Sequence, residues 1–194
     1  MKVAIVKYNA GNTVSVINAL HRLGVEGVVT DSPAELRMAD RVIFPGVGEA
    51  STAMAYLRER GLNDVIRSLM QPVLGICLGM QLMCTHSEEN DTECLGIMPY
   101  RVRRFESETL KVPHTGWNRI TNLTSSLFNG VDDGSHVYFV HGYYVEMGPE
   151  TTAVTTYGED FSAGVGRGNF HAIQFHPEKS GEAGERVLAN FLRI

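Results

Sequence analysis

The sequence predicts an α/β fold in which a doubly wound, mostly parallel sheet is flanked by helices, with additional antiparallel strands in the C-terminal half. Up to about Cys84, short apolar runs alternate with stretches of helical periodicity, which is typical of a parallel sheet with crossover helices. Beyond that point, strand-like segments follow one another with few helices between them. The 194 residues, 43% of them hydrophobic, predict a single domain spanning 1–194 with a sizeable core.

In the first half, four apolar runs predict strands and the segments between them predict helices. The strands are expected over residues 2–8, 25–30, 41–44 and 73–76. Gly24 is the expected end of the first helix, and Asp31-Ser32-Pro33 starts a short second one, since proline is tolerated in a first turn. Apolar positions at helical spacing are Val16, Ile17, Leu20 and Leu23, then Ala50, Met54 and Leu57, then Val65, Ile66 and Leu69.

The second half predicts strands almost throughout. They are expected over residues 100–105, 111–120, 136–146, 153–157, 161–167 and 170–175, and they would add an antiparallel portion or a mixed extension to the sheet. Val187, Leu188, Phe191 and Leu192 indicate a last helix. The polar segment 86–93 predicts an exposed loop.

Composition and charge argue against several classes of function. The net charge is −5 and no Lys/Arg cluster stands out, so we expect no nucleic-acid partner. No apolar stretch is long enough to span a membrane, so no membrane partner is expected. The three cysteines Cys77, Cys84 and Cys94 lack the paired spacing of a zinc site, so we expect no metal and a reducing, cytoplasmic compartment.

Gly75-Ile76-Cys77-Leu78-Gly79 is the most informative motif. It follows an apolar run and precedes a helix, which makes it the thiol version of the nucleophile elbow Gly-x-Ser-x-Gly. The sharp turn exposes the nucleophile above the sheet edge, and a helix N-terminus favours its thiolate. Cys77 is therefore the candidate nucleophile, and the Leu78 N–H is a candidate oxyanion donor.

Two further motifs follow predicted strands. His176-Pro177-Glu178 places an acid two residues after a histidine, and in an extended segment both side chains point to one side, so Glu178 can orient His176 as a general base. Pro45-Gly46-Val47-Gly48 is a glycine-rich turn whose Val47 N–H is the candidate second oxyanion donor. The same turn is also compatible with a simple connecting loop.

These motifs, in this order, resemble the class I, triad-type glutamine amidotransferases. Four more segments resemble the glutaminase-subunit family of imidazole glycerol phosphate synthases, and the resemblance covers essentially the whole chain. They are Tyr8-Asn9-Ala10-Gly11-Asn12, Pro113-His114-Thr115-Gly116-Trp117-Asn118, Tyr138-Phe139-Val140-His141-Gly142-Tyr143 and His176-Pro177-Glu178-Lys179-Ser180. Ala10 and Gly142 depart from the residues that many relatives carry at these positions, and Gly142 offers no hydroxyl to a substrate.

The resemblance implies a glutaminase without a cofactor, acting in histidine biosynthesis. Cys77 would attack the glutamine amide, and His176, oriented by Glu178, would protonate the departing ammonia and later activate water. The substrate would be bordered by Gly46, Gly48, Gln81, His141, Gly142 and Tyr143. Ammonia would pass to a separate cyclase of the (β/α)₈ barrel type, which would form a heterodimer with this chain, and Asn12, Tyr138 and Lys179 would lie at that interface.

Several alternatives remain open from the residues alone. The chain would also suit a free-standing hydrolase of γ-glutamyl or peptide bonds, or a non-catalytic regulatory subunit that retains the fold. His141 is compatible with a structural role as well as with a substrate contact. Lys179 is compatible with a solvated surface charge as well as with a subunit interface. Cys84 is expected to pack in the core, and Trp117 is also expected there.

Overall fold

The computed structural model describes residues 1–9 and 12–194. Ala10 and Gly11 of the predicted first loop, including the departure noted at Ala10, lie outside the described residues. The helices are α1 (Thr13–Arg22), α2 (Pro33–Met38), α3 (Ala50–Glu59), α4 (Leu62–Arg67), α5 (Leu78–Met83) and α6 (Gly181–Phe191).

Thirteen strands occur within the described residues. They are β1 (Val3–Val6), β2 (Gly27–Thr30), β3 (Arg41–Gly46), β4 (Val73–Cys77), β5 (His86–Ser87), β6 (Thr92–Glu93), β7 (Arg101–Arg104), β8 (His114–Arg119), β9 (His136–His141), β10 (Tyr143–Val145), β11 (Thr151–Tyr157), β12 (Glu159–Arg167) and β13 (Phe170–Ile173).

A five-stranded parallel sheet, in the order β2-β1-β3-β4-β13, forms the centre of the molecule. The sheet continues through antiparallel β12, β10 and β7 to the short strands β5 and β6, and β11 pairs with β12. The predicted fold class is therefore confirmed, including the antiparallel extension. Because β3, β4 and β13 are parallel neighbours, the segments that follow them meet at one edge of the sheet.

The central strands are continuous apolar runs because helices cover both faces of the sheet. Along β1, Val3 and Ile5 pack into one buried cluster with α1 and α6, whereas Ala4 and Val6 pack into a second cluster with α3 and α4. All four residues of β1 are buried. Two apolar layers therefore hold the parallel strands rigidly beneath the site.

The structure differs from the expected elements at two places in the sheets. The single strand expected over 136–146 is interrupted at Gly142, because β9 pairs with β8 in a separate two-stranded sheet whereas β10 joins the large sheet. The prediction of an exposed loop over 86–93 is wrong, because β5 and β6 pair there and bury Ser87 and Thr92. Both differences arise because these segments pair with strands that the local sequence pattern does not identify.

Candidate functional site

Cys77 lies at the carboxyl end of β4 in a strained backbone conformation. Its φ is 53° and its ψ is −110°, in the region that residues with a Cβ rarely adopt. Helix α5 starts at the next residue and passes so close to β3 that a Cβ added at Gly79 would overlap the carbonyl oxygen of Phe44. Glycine at this position therefore permits the tight strand-to-helix turn that the motif predicts.

His176 and Glu178 follow β13, the strand adjacent to β4. His176 Nδ1 lies 2.9 Å from Glu178 Oε1, and both side chains are almost fully buried. The expectation of an extended segment here is wrong, because residues Pro177–Lys179 form a turn of 3-10 helix. The carboxylate nevertheless reaches the imidazole, because the turn folds it back beneath the ring.

The environment of His176 favours its imidazolium form. Burial lowers its pKa, but the proximity and charge of Cys77, with the hydrogen bond and charge of Glu178, outweigh burial and raise the pKa to about 10. Nδ1 is directed to Glu178, so Nε2 is the ring nitrogen left to serve the sulfur of Cys77. Within residues 1–9 and 12–194, no group makes a hydrogen bond of normal geometry with this Nε2 atom.

Asn12 contacts the same carboxylate. Its Nδ2 atom donates to Glu178 Oε1 over 3.1 Å, so one oxygen accepts from both Asn12 and His176. Asn12 precedes α1 as its N-terminal flanking residue. Asn12, which the resemblance places at the partner interface, therefore contacts Glu178 of the predicted triad.

A cavity of about 290 Å³ lies beside Cys77. Seven of the predicted site residues line it together with the cysteine: Val47, Gly48, Leu78, Gln81, His141, Gly142 and Tyr143. Gly46 is not on this wall. It pairs with Cys77 in the β3–β4 register and is buried, with the Tyr8 hydroxyl and Leu78 packed where its Cβ would stand.

Tyr8 supports the glycine-rich turn from behind. Its hydroxyl donates to the Pro45 carbonyl over 2.7 Å, and its ring packs against Phe44 at 5.3 Å between centroids. Burial, and secondarily the charge of Cys77, raise the pKa of this phenol well above its usual value, so the hydroxyl keeps its proton. Val47, two residues beyond Pro45, is 38% exposed on the cavity wall.

Gln81 and His141 both donate to the carbonyl oxygen of Tyr143. Gln81 Nε2 lies 3.0 Å from it and His141 Nδ1 lies 2.7 Å from it. His141 Nε2 in turn lies 3.1 Å from His114 Nδ1. Burial lowers the pKa of His141 to about 3 and that of His114 to about 4, so both rings are neutral at pH 7. His141 therefore has a structural role and also borders the cavity.

Sequence reasoning missed Glu89 and Val140, which also line the cavity. Glu89 Oε2 accepts from the Ala50 N–H at the start of α3 over 2.7 Å. Burial raises the pKa of this carboxyl, and the Ala50 hydrogen bond opposes that rise. The polar character of the segment around Glu89 predicts an exposed loop, and no pattern in the sequence points to a cavity residue there.

An aromatic cluster lies at the surface beyond His176. Trp117 is 57% exposed, so its predicted place in the core is wrong; its ring packs edge-on against Tyr138 with 6.1 Å between centroids. Lys179 Nζ lies 5.6 Å from the centroid of the Tyr138 ring. Ser180 joins this surface to the site, because its Oγ donates to the His176 carbonyl and accepts from the Tyr138 N–H.

In the part of the chain that the structure describes, no cluster of three or more His, Cys, Asp or Glu side chains is arranged to hold a metal ion. None of the helices in the same residues has the length and apolar character needed to cross a bilayer. All three cysteines are free and buried, and Cys84 packs in the core as predicted.

Comparison with known proteins identifies the class to which this fold and site belong. The profile described as "Glutamine amidotransferase class-I" matches residues 4–194. The chain belongs to the class-I glutamine amidotransferase family and is an amidotransferase enzyme, which confirms the predicted family. Two curated relatives are both named "Imidazole glycerol phosphate synthase subunit HisH". The one from Bacteroides fragilis is 57% identical and the one from Escherichia coli K12 is 45% identical, each over the whole of both chains.

Solved structures share the fold at much lower sequence identity. A putative GMP synthase protein from Thermoplasma acidophilum superimposes with a TM-score of 0.79 at 20% identity, covering 100% of this chain and 92% of that one. PurLQS from Thermotoga maritima gives a TM-score of 0.74 at 18% identity, covering 99% and 97%. These likenesses support the fold.

Proposed function

We propose that this chain is the glutaminase subunit of an imidazole glycerol phosphate synthase. It hydrolyses L-glutamine to glutamate and ammonia and passes the ammonia to a cyclase subunit, which makes imidazole glycerol phosphate and an aminoimidazole carboxamide ribotide. The proposal is supported by Cys77 on the cavity wall and by the His176–Glu178 pair after the adjacent strand, in a chain whose full-length relatives are named as HisH subunits.

The first half-reaction forms a thioester. The Cys77 sulfur attacks the side-chain amide carbon of glutamine, and the carbonyl oxygen becomes an oxyanion held by the N–H groups of Val47 and Leu78. The carbon–nitrogen bond then breaks as His176 Nε2 gives its proton to the leaving nitrogen, which departs as ammonia. The raised pKa of His176 supports this role, since the ring carries a proton at neutral pH.

The second half-reaction restores the enzyme. His176, now neutral, takes a proton from water as the water oxygen attacks the thioester carbon. The carbon–sulfur bond breaks, glutamate leaves, and the sulfur returns as a thiolate beside the imidazolium. Glu178 holds Nδ1–H throughout, and Asn12 holds Glu178, so the ring keeps one orientation for both steps.

Recognition of glutamine requires a negative group for its α-ammonium. We assign that role to Glu89, the one carboxylate among the side chains that line the cavity within the described part of the chain. Its Oε2 atom is held by the Ala50 N–H, so the carboxylate has a fixed position. Gly48, Gln81, Gly142 and Tyr143 shape the rest of the wall. The Gln81 Nε2 atom already donates to Tyr143 and Gln174, so its Oε1 atom is the one left for substrate.

The cyclase partner is proposed to bind over the aromatic cluster of Trp117, Tyr138 and Lys179. A large exposed aromatic ring packed on a second one, with a lysine beside them, is typical of the anchor of a protein interface. Ser180 and the backbone of Tyr138 form hydrogen bonds with the backbone of His176. A change at this surface can therefore shift the position of the general base. We propose a cyclase of the (β/α)₈ barrel type in a heterodimer, working in the cytoplasm.

Coupling to a partner has a chemical reason. Ammonia that reaches neutral water becomes ammonium and loses its nucleophilic lone pair, so direct transfer favours the acceptor reaction. This requirement distinguishes the proposal from a free-standing γ-glutamyl hydrolase, which needs no partner. The third interpretation, a non-catalytic regulator, does not require the combination of Cys77, His176 and Glu178.

The deciding experiment measures glutamate release by the chain alone and with the matching cyclase. We expect weak hydrolysis alone and a large rise in kcat in the complex, and Cys77→Ala should abolish glutamate formation while leaving the complex intact. Partner-independent turnover without complex formation would favour the free-standing hydrolase. A Cys77→Ala chain that keeps its full effect on the cyclase would favour the regulatory subunit.

The interface assignment has a matched control in the same assay. Trp117→Ala should weaken binding to the cyclase by roughly tenfold or more, as expected for a central aromatic anchor. Met70→Ala removes an apolar side chain that is more exposed than Trp117, 86% against 57%, near the opposite, amino end of β4, and should leave binding unchanged. Equal effects of the two substitutions would contradict the assigned surface.

A further inference from the structure

Gln174 is a buried amide that touches the nucleophile but is not among the groups assigned so far to the two half-reactions. It follows β13 directly, next to Cys77 of the adjacent strand, and is 0% exposed. Its Nε2 atom lies 3.6 Å from the Cys77 sulfur, within the range of an N–H···S hydrogen bond. A primary amide without solvent access is costly unless its polar atoms are bonded, so its position calls for an explanation.

The hydrogen-bond network determines which end of this amide faces the sulfur. The Tyr143 carbonyl oxygen can only accept, so the Gln81 atom 3.0 Å from it must be the amide nitrogen. The same nitrogen lies 3.0 Å from Gln174, which must therefore present its oxygen. The Gln174 NH₂ group is left facing Cys77. The reversed orientation would place two donors against each other in a buried site.

The hydrogen bonds around the Tyr143 carbonyl oxygen fix the orientation of Gln81. Tyr143 O also accepts from His141 Nδ1, and His141 Nε2 accepts from His114 Nδ1, because both rings are neutral. Both lone pairs of the carbonyl oxygen are thus occupied by donors. Gln81 Nε2 therefore donates both to the Tyr143 carbonyl and to Gln174 Oε1, and Gln174 Nε2 donates onward to the sulfur.

We propose that Gln174 is a catalytic residue, whose side-chain N–H donates to the Cys77 sulfur and stabilises its thiolate, and that Gln81 holds the amide in the donating orientation. A thiolate accepts a hydrogen bond more strongly than a thiol does, so the contact favours ionisation. The inference rests on the proposed function, because it assumes that Cys77 is the nucleophile. It adds a second, uncharged donor to the imidazolium of His176.

The contact between Gln174 and Cys77 can stabilise the thiolate at both the start and the end of the catalytic cycle. Negative charge resides on the sulfur before attack and again when the thioester breaks, and the amide faces it at both moments. The titratable groups around Cys77 are Tyr8 behind the glycine turn, His141 and Glu89 on the cavity wall, and His176 with Glu178. The test leaves all of these groups unsubstituted. Gln174 has no titratable proton, so replacing it by methionine removes a hydrogen-bond donor without removing a charge.

The test uses iodoacetamide, which reports thiolate reactivity without glutamine chemistry. Cys77 alkylation is followed by mass spectrometry between pH 5 and 10, in the complex with the cyclase, for the wild type, Gln174→Met and Gln174→Glu. Methionine keeps the volume without the donor, so alkylation at pH 7 should fall roughly tenfold and the rate profile should move to higher pH. The glutamate carboxylate can still accept from Gln81 but repels the thiolate, so its effect should be larger.

Asn190→Leu is the matched control. Asn190 is another buried amide, which bonds the carbonyls of Leu127 and Asn129 from α6. Its loss should lower the thermal midpoint without changing the alkylation profile. If both Gln174 variants fold and alkylate like the wild type while glutamine turnover falls, Gln174 only supports the pocket and the inference is overturned.

A measurement on the unmodified chain covers the case in which the variants do not fold. In the ¹⁵N-labelled complex, the Gln174 side-chain NH₂ resonances should shift with the same pH midpoint as the alkylation rate, and Cys77→Ala should abolish that shift. Resonances that ignore the ionisation of Cys77 would overturn the inference. Wild-type Cys77 that reacts no faster than a denatured cysteine would instead overturn the nucleophile and the proposed function with it.

Discussion

At the scale of single residues, the site combines a strained nucleophile with fixed charges. A positive φ at a residue with a side chain costs about 1–3 kcal/mol, and the packing of α5 against β3 holds Cys77 in that conformation. The neighbouring His176 has a raised pKa because Cys77 and Glu178 outweigh its burial. These side chains are therefore oriented before any substrate binds.

Glu89→Gln tests the proposed contact with the α-ammonium of glutamine. Glutamine at this position can still accept from the Ala50 N–H, so only the charge is removed. We expect KM for glutamine to rise about tenfold or more while kcat changes little, since a hydrogen bond to a charged group is lost in both ground and transition states. Steady-state kinetics of the complex measures both constants.

Glu88→Gln is the control for this substitution. Glu88 is the preceding residue, and its carboxylate bonds Arg103 and the Arg104 N–H away from the cavity. It should leave KM unchanged. A glutamine analogue that lacks the α-ammonium should be hydrolysed equally by the wild type and by Glu89→Gln, and a persistent difference would argue that Glu89 acts only through α3.

At the scale of elements, the site depends on how three turns are supported. The turn after β3 is supported by Tyr8, the turn after β4 by the absence of a side chain at Gly79, and the turn after β13 by Ser180. Tyr8 and Ser180 lie outside the turns that they support, whereas Gly79 is part of the turn that it permits. Loss of one support should therefore affect catalysis more than folding.

Tyr8→Phe removes the hydrogen bond to the Pro45 carbonyl and keeps the ring. We expect a loss of about 1 kcal/mol in unfolding free energy and a fall in kcat in the complex of about tenfold or more, because the Val47 N–H is no longer held where the oxyanion forms. Thermal unfolding and steady-state kinetics measure the two effects separately.

Tyr157→Phe provides the comparison. Its hydroxyl also donates to a backbone carbonyl over 2.7 Å, that of Lys111, but it lies outside the cavity. The expected result is a similar or smaller loss of stability with kcat unchanged. If both substitutions lower kcat alike, the effect of Tyr8 is not specific to the glycine turn.

A motif that fixes the local backbone predicted its elements better than an apolar pattern did. Gly75–Gly79 predicted a strand, a sharp turn and a helix, and β4, Cys77 and α5 follow that order. The segment 136–146 was predicted as one strand, because nothing in its apolar pattern shows that β9 and β10 pair with different sheets. Local patterns report backbone preference, whereas strand partners depend on distant residues.

At the scale of the whole molecule, buried neutral histidines make stability depend on pH. His114 and His141 pack with Phe139 and Tyr157 among the aromatic rings beneath the cavity. Burial lowers the pKa of both in the folded state, to about 4 and about 3, whereas the unfolded chain protonates them near pH ~6.5. The unfolded state therefore binds more protons between these values, and stability falls as the pH falls below about 6.5.

His114→Gln tests this dependence. Above pH ~6.5 the wild type should exceed the variant in unfolding free energy by a constant amount, and the difference should shrink toward pH ~4 by about 1.4 kcal/mol per pH unit. Denaturant unfolding at several pH values measures it. Phe139→Leu, which removes no titratable group, should instead show a pH-independent loss, and the same flat difference for His114→Gln would contradict the assignment.

The chain by itself determined the order of its elements, the elbow at Cys77 and the histidine–acid pair after a strand, because these depend on short-range backbone geometry and apolar periodicity. The tertiary structure alone decided that Gln174 meets Cys77, that Glu89 faces the cavity and that Trp117 lies at the surface. Such contacts join residues far apart in sequence, and the register between strands and the packing of helices on the sheet select them only once the whole domain has assembled.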